Sequence, residues 1–274
     1  MKPDLSTAPI GVFDSGVGGL TVLKAIRHLL PGEDLVYLGD TARLPYGTKS
    51  PQSIERYASQ ASRHLADRDI KMLVVACNTA SAVALDVLRE EFAPMPVIGV
   101  VEPGADAATD GRPGGNHLVL ATETTVRLKA YRRAILDRDP DARVTEHACE
   151  LLVALAEEGW MDGDIAASIV SRYLAEAWPS EEPPDSIILG CTHFPLLKPA
   201  IEASASQSSA IVDSASTTAA VTARVLDEAG LRGPRSDAGR LTLLATDGAK
   251  RFARVGGRFL GEDLDISDVE LVDI

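Results

Sequence analysis

Short apolar runs alternate with segments of helical periodicity along almost the whole chain. Each run consists mainly of aliphatic residues and ends in a small or polar residue, as buried strands do. Strands that are apolar on both faces belong to sheets covered by helices on both sides, so the alternation predicts an α/β fold with mostly parallel sheets. The predicted strands are residues 10–14, 34–40, 72–77, 96–101, 117–122, 186–191 and 241–246.

Two of the segments between these strands carry clear helix signals. Ser50 and Pro51 form a cap and first-turn pair ahead of an apolar stripe at helical spacing. The segment 162–164, with two acidic residues, precedes a second such stripe at 165–177. Stretches rich in turn residues are candidates for domain boundaries or for surface loops, and they occupy 102–117, 178–186 and 229–240.

The composition narrows the classes of function. The 274 residues carry 27 basic and 40 acidic side chains, a net charge of −13, with no basic stripe that would follow a phosphate backbone. No window approaches the roughly 18 consecutive apolar residues of a membrane helix. The N-terminal segment has no apolar signal-peptide core. We therefore expect a cytoplasmic protein that binds neither nucleic acid nor membrane.

A glycine-rich turn follows the first predicted strand, in the sequence FDSGVGGLTVLKAI. Glycine turns before a helix cradle phosphate groups in nucleotide-binding proteins. The dinucleotide fingerprint would need a further glycine where Thr21 stands, although Asp40 ends the next strand where a ribose-binding acid would lie. A phosphate loop would need Gly-Lys-Ser/Thr, which is absent, and Asp14 ahead of the glycines would repel a phosphate. Nucleotide binding is thus only weakly indicated.

Two predicted strands end in a cysteine followed by two polar residues. The segments are Ala-Cys-Asn-Thr at 76–79 and Gly-Cys-Thr-His at 190–193. Their separation is about the length of a typical single domain, which suggests two similar halves with one thiol each. Both thiols precede a predicted helix, whose positive dipole is expected to lower the pKa values of Cys77 and Cys191.

The third cysteine, Cys149, lacks that setting. An apolar helical run follows it, and we expect it to be part of the core. With no Cys-x-x-Cys pair in the chain, the sequence predicts neither a disulfide framework nor a metal site.

Thiols without a metal suit two kinds of chemistry. A single thiol beside a histidine would fit acyl transfer. Two thiols that face each other across a cleft would instead remove a proton from one face of a carbon and deliver one to the opposite face. Racemisation of an amino acid in this way needs no cofactor, but both bases must be tuned and a carbanion-like state stabilised. His193 and Asp14 are the candidate tuning groups.

Six motifs give the chain a close resemblance to the glutamate racemase family of the aspartate/glutamate racemase superfamily. In order along the chain they are GVFDSGVGGLTVL, YLGDTARLPYGTKS, VVACNTASA, PVIGVVEPG, ILGCTHFPLL and IVDSA. The resemblance implies a cofactor-independent isomerase that interconverts L- and D-glutamate and supplies D-glutamate for peptidoglycan synthesis, and thereby for cell-wall biogenesis and cell shape. An alternative substrate is aspartate or another amino acid handled by the superfamily.

The resemblance also implies an architecture. Two pseudo-symmetric three-layer α/β domains would enclose the active site in the cleft between them. The first domain would comprise 1–100 and 211–274, and the second would comprise 101–210. The expected partners are a small-molecule substrate, L- or D-glutamate, and a second copy of the chain in a homodimer or a monomer–dimer equilibrium.

The resemblance further implies roles for individual residues. Cys77, helped by Asp14, would handle the proton of the D-enantiomer, and Cys191, helped by His193, would handle that of the L-enantiomer. The residues expected to bind the substrate are Asp14, Ser15, Tyr46, Gly47, Asn78, Thr79, Thr122, Thr192 and His193, and Thr125 lies in the same family strand end as Thr122.

Two acidic residues match family positions near the site, and four other residues depart from the family pattern. Asp40 and Glu157 match acidic positions near the site, for which a structural or solvated carboxylate is the alternative interpretation. None of the departures removes a predicted base, but they affect what can be expected of dimer and effector contacts. They are Leu128 in place of serine, Glu150 and Ala154 in place of prolines, and Phe194 in place of tyrosine.

Overall fold

The structure is a computed structural model that describes residues 5–180, 182–233 and 237–274. The strands are β1 (Ile10–Asp14), β2 (Leu35–Gly39), β3 (Met72–Val75), β4 (Val97–Gly99), β5 (Asn116–Ala121), β6 (Arg143–Ala148), β7 (Ser186–Gly190), β8 (Ala210–Asp213), β9 (Leu241–Ala245) and β10 (Val269–Leu271). The helices are α1 (Leu20–Leu29), α2 (Pro51–Ala66), α3 (Asn78–Phe92), α4 (Val101–Thr109), α5 (Glu123–Arg127), α6 (Ala130–Leu136), α7 (Glu150–Glu158), α8 (Gly163–Ala177), α9 (Lys198–Ser204), α10 (Ser214–Glu228) and α11 (Ala249–Leu260).

The strands form two sheets in which every observed pair is parallel. The larger sheet has the order β10-β9-β2-β1-β3-β4, and the smaller has the order β6-β5-β7-β8. The larger sheet draws its strands from 10–99 and 241–271, whereas the smaller lies within 116–213. The predicted fold class, two α/β domains with parallel sheets, is confirmed. The predicted domain boundaries remain a prediction.

The two faces of each sheet are covered by separate apolar clusters. On β3, Met72 and Val74 lie in one cluster, while Leu73 and Val75 lie in the cluster on the opposite face. Strand β5 divides its side chains between two further clusters in the same way. Because successive side chains of a strand point to opposite faces, this arrangement explains why the runs are apolar at every position.

The seven predicted strands are all present, most of them one to three residues shorter than the apolar run. Three further strands were not predicted: β6, β8 and β10. Each lies at the edge of its sheet. Their side chains are therefore only partly buried, and the sequences RVTEHA, AIVD and VEL do not form apolar runs bounded by turn signals.

The predicted helix starts are also present, but one predicted loop is wrong. Helix α2 begins after Ser50, whose Oγ accepts a hydrogen bond from the Ser53 N–H at 3.3 Å, and α8 begins after Asp162. The first half of the loop predicted at 102–117 is instead helix α4. Its Pro103 lies in the first turn, where the missing N–H removes no helical hydrogen bond.

The other two predicted loops connect α8 to β7 and α10 to β9. Residue 181 of the first and residues 234–236 of the second lie outside the described residues. No helix in the described ranges is long and apolar enough to cross a membrane.

A buried ion pair joins the N-terminal segment to the larger sheet. Lys71 Nζ donates hydrogen bonds to Glu33 Oε2 at 2.5 Å and to the Ser6 carbonyl at 2.7 Å. The Lys71 side chain is fully buried and that of Glu33 is 5% exposed. A buried carboxylate that loses its cation keeps the full cost of desolvation, so the two members of this pair depend on each other.

Replacing Lys71 by methionine should lower the free energy of unfolding by about 3–5 kcal/mol, because buried Glu33 loses the cation that is hydrogen-bonded to it. The matched control is Arg68→Met, which breaks a 2.7 Å pair with Glu270 at the surface and should cost less than about 1 kcal/mol. Urea denaturation followed by circular dichroism at neutral pH measures both values. Similar small losses in the two variants would contradict the prediction.

Candidate active site

The carboxyl ends of three strands bring the two cysteine motifs and the glycine turn together. Asp14 ends β1, Cys77 follows the neighbouring strand β3, and Cys191 follows β7 of the other sheet. The motifs lie close together across the cleft, where Cys191 is among the groups that raise the pKa of Cys77 and His193 is among those that lower the pKa of Asp14. The structure therefore places the four predicted catalytic residues in one site between the domains.

The glycine turn permits this close approach. A Cβ at Gly18 would clash with the side chains of Thr192 and His193 from the other domain. A Cβ at Gly19 would lie 2.5 Å from Asp14 Cβ and 3.0 Å from Ala76 Cβ. The absence of side chains here lets the turn contact both motifs, which accounts for the glycines without a phosphate ligand.

Cys77 caps helix α3, and its surroundings keep the thiol protonated. Its Sγ accepts a hydrogen bond from the Ala80 N–H at 3.4 Å, and the S–H donates to Ser15 Oγ at 3.4 Å. Burial raises the pKa of Cys77 to about 12, and the Asp14 carboxylate adds to the rise. The predicted position at a helix N-terminus is correct, but the predicted fall in pKa is wrong because desolvation outweighs the dipole.

Asp14 is a buried carboxyl group with one oxygen unpaired. Its Oδ2 accepts a hydrogen bond from the Gly16 N–H at 2.8 Å, while Oδ1 has no partner among the described residues. Burial raises the pKa of Asp14, against the lowering effect of His193 and of nearby backbone N–H groups. Behind the turn, the Tyr37 hydroxyl donates to the Gly16 carbonyl at 2.9 Å and fixes the backbone that carries Asp14.

Cys191 lies beside an imidazole. Its Sγ is 3.7 Å from His193 Nδ1. A 3₁₀-helix at Phe194–Leu197 follows the two polar residues of the motif and leads directly into α9, so the predicted helix is present but begins with 3₁₀ geometry. The group beside Cys191 Sγ is the imidazole of His193, whereas Cys77 Sγ contacts a backbone N–H and a hydroxyl. The two thiols therefore have different chemical surroundings.

His193 forms a hydrogen-bonded chain with two residues of other elements. Its Nε2 lies 3.2 Å from Glu157 Oε1, and Glu157 Oε2 pairs with Arg251 Nη2 at 2.5 Å. Burial acts to lower the pKa of His193, but its hydrogen bonds to Cys191 and Glu157 outweigh this effect and raise it to about 10. The hydrogen bond with His193 in turn lowers the pKa of Glu157. At neutral pH the pair is therefore an imidazolium and a carboxylate.

A cluster of hydroxyls lies where the first cysteine motif meets the second domain. Thr79 Oγ1 is 3.1 Å from Thr122 Oγ1, which is itself 3.1 Å from Thr125 Oγ1. Asn78 Nδ2 donates to the Tyr131 hydroxyl at 2.8 Å, and Asn78 Oδ1 is buried without a partner among the described residues. The predicted residues Asn78, Thr79 and Thr122 are thus brought together with Thr125.

On the other motif, Thr192 also contacts the opposite domain. Its carbonyl accepts a hydrogen bond from Thr21 Oγ1 at 2.9 Å. Its own Oγ1 lies 3.5 Å from His193 Nδ1. Thr192 therefore lies within the same group of residues as the predicted catalytic pair.

Asp40 holds the loop that carries Tyr46 and Gly47. Its Oδ2 accepts hydrogen bonds from the Tyr46 hydroxyl at 2.5 Å and from Arg43 Nε at 2.7 Å, and its Oδ1 accepts one from Thr246 Oγ1 at 3.0 Å. The carboxylate is fully buried, and both oxygens are used. The Gly47 carbonyl accepts a hydrogen bond from the Thr124 hydroxyl of the second domain. This geometry favours the structural interpretation of Asp40.

Residues outside the predicted set also contribute. Tyr37 binds the Gly16 carbonyl in the glycine turn, and Tyr131 and Arg251 contact the predicted residues Asn78 and Glu157. Phe259 packs edge-on against His193 with 5.0 Å between ring centroids. Tyr37 is the first residue of the motif YLGDTARLPYGTKS, whereas the other three lie in none of the six motifs. The position of Tyr37 in that motif is a signal that could have been used.

The remaining departures from the family pattern lie around the site. Phe194 is fully buried in the apolar cluster that contains Cys149 and Cys191, so it packs against the core behind the motif. Glu150 Oε1 accepts a hydrogen bond from the Glu123 N–H at 2.5 Å. Cys149 is fully buried, as predicted. Nothing in the structure explains the exchange of serine for Leu128.

The cleft itself is closed in this structure. Cys77 and Cys191 are each 6% exposed. A cavity of about 800 Å³ lies elsewhere, between α4 and α10, and none of the predicted site residues lines it. In the described part of the chain, no three His, Cys, Asp or Glu side chains are grouped so that they could hold a metal ion.

The chain is similar to known racemases over almost its whole length. The profile of the Asp/Glu/Hydantoin racemase family matches residues 10–223. A glutamate racemase from Geobacter metallireducens is 47% identical over 263 residues, which is 96% of each chain. One from Neisseria meningitidis serogroup C is 43% identical over 266 residues, or 97% of each chain.

Solved structures show the same similarity. The glutamate racemase of Francisella tularensis, crystallised with D-glutamate, superposes with a TM-score of 0.89 at 33% identity and covers 98% of both chains. That of Thermus thermophilus, crystallised with β-chloro-D-alanine, has a TM-score of 0.87 at 43% identity with the same coverage. The chain therefore belongs to the Asp/Glu/Hydantoin racemase family, in which it groups with the glutamate racemases, and it is an amino-acid racemase.

Proposed function

We propose that this enzyme interconverts L- and D-glutamate by moving the Cα proton between two thiols, without a cofactor. The observation that carries the proposal is the meeting of Cys77 and Cys191 from the two domains, one beside a carboxyl group and the other beside an imidazolium. Relatives over nearly the full length are glutamate racemases, and one of the similar structures contains D-glutamate.

In the direction from L- to D-glutamate, the Cys191 thiolate removes the Cα proton. The electron pair of the broken C–H bond is delocalised into the α-carboxylate, and the Cys77 S–H delivers a proton to the opposite face. Cys191 then holds a proton and Cys77 a negative charge, which is the starting state for the reverse direction. No electron or group is gained or lost.

The surroundings of the thiols suit these roles. The His193 imidazolium places a positive charge and an N–H donor next to Cys191 Sγ. The raised pKa of Cys77 keeps that thiol protonated at neutral pH and ready to donate. The negative charge of Asp14 contributes to this rise in the pKa of Cys77. A higher pKa also makes the Cys77 thiolate a stronger base when it removes the proton of D-glutamate.

We further propose which groups bind the substrate. The unpaired oxygens Asn78 Oδ1 and Asp14 Oδ1 are acceptors for the substrate ammonium. The hydroxyls of Ser15, Thr79, Thr122 and Thr192 are donors for its carboxylates, and the Tyr46–Gly47 loop closes the site. The D-glutamate produced would serve peptidoglycan synthesis in the cytoplasm, and hence cell-wall biogenesis and cell shape.

Racemisation in D2O tests the two-base mechanism. At low conversion of L-glutamate, the D-glutamate formed should carry one deuterium at Cα, while the remaining L-glutamate keeps its hydrogen, because each thiol holds a single proton. Mass spectrometry after chiral separation measures both. Transfer of the original hydrogen into the product would indicate one base instead of two, and faster turnover of L-aspartate would assign a different substrate.

Cysteine variants test the assignment of the bases. Cys77→Ser and Cys191→Ser should each lower kcat by about 100-fold or more, because a hydroxyl is a far weaker base and acid than a thiol at neutral pH. The matched control is Cys149→Ala, which removes a fully buried thiol from the cluster that contains Cys191 and should leave kcat within about threefold. Full activity in either serine variant would refute the assignment.

The mechanism requires His193 to be charged at neutral pH, and NMR of histidine labelled with ¹³C at Cε1 tests this requirement. The signal lost in His193→Asn identifies the residue, and its pKa should be about 10 in the wild type. Glu157→Gln should lower it by about one unit. An unshifted pKa near 6.5 would contradict the proposal.

Protein stability gives a second measure of the same charge. Because folding raises the pKa of His193, its stabilising effect is complete below pH 6.5 and is lost as the pH rises to about 10. The difference in unfolding free energy between wild type and His193→Asn should therefore shrink over that range. A difference that grows with pH would have the wrong sign.

A further inference from the structure

Helix α11 reaches from the larger sheet to the Cys191 side of the cleft. Its Arg251 pairs with the Glu157 carboxylate at 2.5 Å, and its Arg258 Nη1 donates to the Glu157 carbonyl at 3.0 Å. Its Phe259 meets the His193 ring edge-on at an interplanar angle of 81°. A single helix of one domain thus contacts both members of the His193–Glu157 pair in the other domain.

The Glu157 carboxylate is shared between two cations. One oxygen faces His193 Nε2 and the other faces Arg251 Nη2. With both oxygens engaged, the carboxylate plane cannot rotate without breaking one of the pairs. The orientation of the His193 ring, and hence the 3.7 Å approach of its Nδ1 to Cys191 Sγ, depends on that plane.

From this geometry we propose that Arg251 is a positioning residue for proton transfer at Cys191, acting through Glu157 and His193. The inference rests on the proposed function. Arg251 does not touch Cys191, and its side chain is 55% exposed, so its contribution is to orientation and not to the core. No corresponding contact from Arg251 reaches Cys77, whose sulfur is held by Ser15 and Ala80.

Because Arg251 acts only on the Cys191 side of the cleft, its replacement should slow proton transfer at Cys191 and not at Cys77. Enantiomers have equal free energies, so any variant must lower kcat/KM equally in the two directions. The rate-limiting step can nevertheless move. If proton transfer at Cys191 is slowed, breaking the Cα–H bond of L-glutamate becomes more rate-limiting, whereas breaking that of D-glutamate becomes less so.

The experiment compares Arg251→Gln with Arg254→Gln. Arg254 is exposed on the same helix, so its replacement makes the same change of charge without touching Glu157. Arg251→Gln should lower kcat/KM by about three- to tenfold in both directions. The primary deuterium isotope effect should rise for [2-²H]-L-glutamate and fall towards one for [2-²H]-D-glutamate. Arg251→Lys should restore part of the activity, since it keeps the charge but not the planar fork.

The outcomes separate the two proposals. Arg251→Gln kinetics that match those of Arg254→Gln, or isotope effects that change equally for both enantiomers, would overturn the role of Arg251. Failure of the wild type to racemise glutamate would instead refute the proposed function.

Discussion

Desolvation of ionisable groups in the cleft is the constraint on which the rest of the site depends. Cys77 and Cys191 are each 6% exposed, and Asp14 is 1% exposed. Burial disfavours the charged form of such groups, so each charge that the chemistry uses must be balanced by fixed groups. Backbone N–H groups near Asp14 and the carboxylate of Glu157 near His193 supply that balance. Burial and these fixed groups thus act in opposite directions on the pKa values of Asp14 and His193.

The two halves of the site share a sequence plan but differ in their chemistry. Cys77 is held by a hydroxyl and a backbone N–H, with a carboxyl group nearby that disfavours its thiolate. Cys191 has an imidazolium within 3.7 Å. The raised pKa of Cys77 keeps its thiol protonated at neutral pH. In the proposed mechanism this thiol is the acid and Cys191 is the base, as inversion at a carbon requires.

The sequence predicts the strand ends well because parallel sheets apolar on both faces leave a strong local pattern, and function in such folds lies at the carboxyl ends of the strands. Prediction from the sequence fails where a property depends on burial or on contacts with distant parts of the chain. The helix dipole alone predicts a lowered pKa for Cys77, but burial of the thiol within the fold reverses the direction. Tyr131 and Arg251 follow no motif, since their contacts span 53 and 94 residues of sequence.

Several of the hydrogen bonds between the domains are made at the site itself. Thr192 accepts from Thr21, Asn78 donates to Tyr131, and Thr79 contacts Thr122. A substrate that enters must replace some of these hydrogen bonds with its own. Because the protein groups are already paired, such an exchange adds little net binding energy. The unpaired oxygens of Asp14 and Asn78 are a different case, because they have no hydrogen bond to lose. A donor placed there pairs a buried acceptor that is otherwise unsatisfied. Net binding energy should therefore concentrate on the group that meets those two oxygens, which in an amino acid is the ammonium next to the reacting carbon.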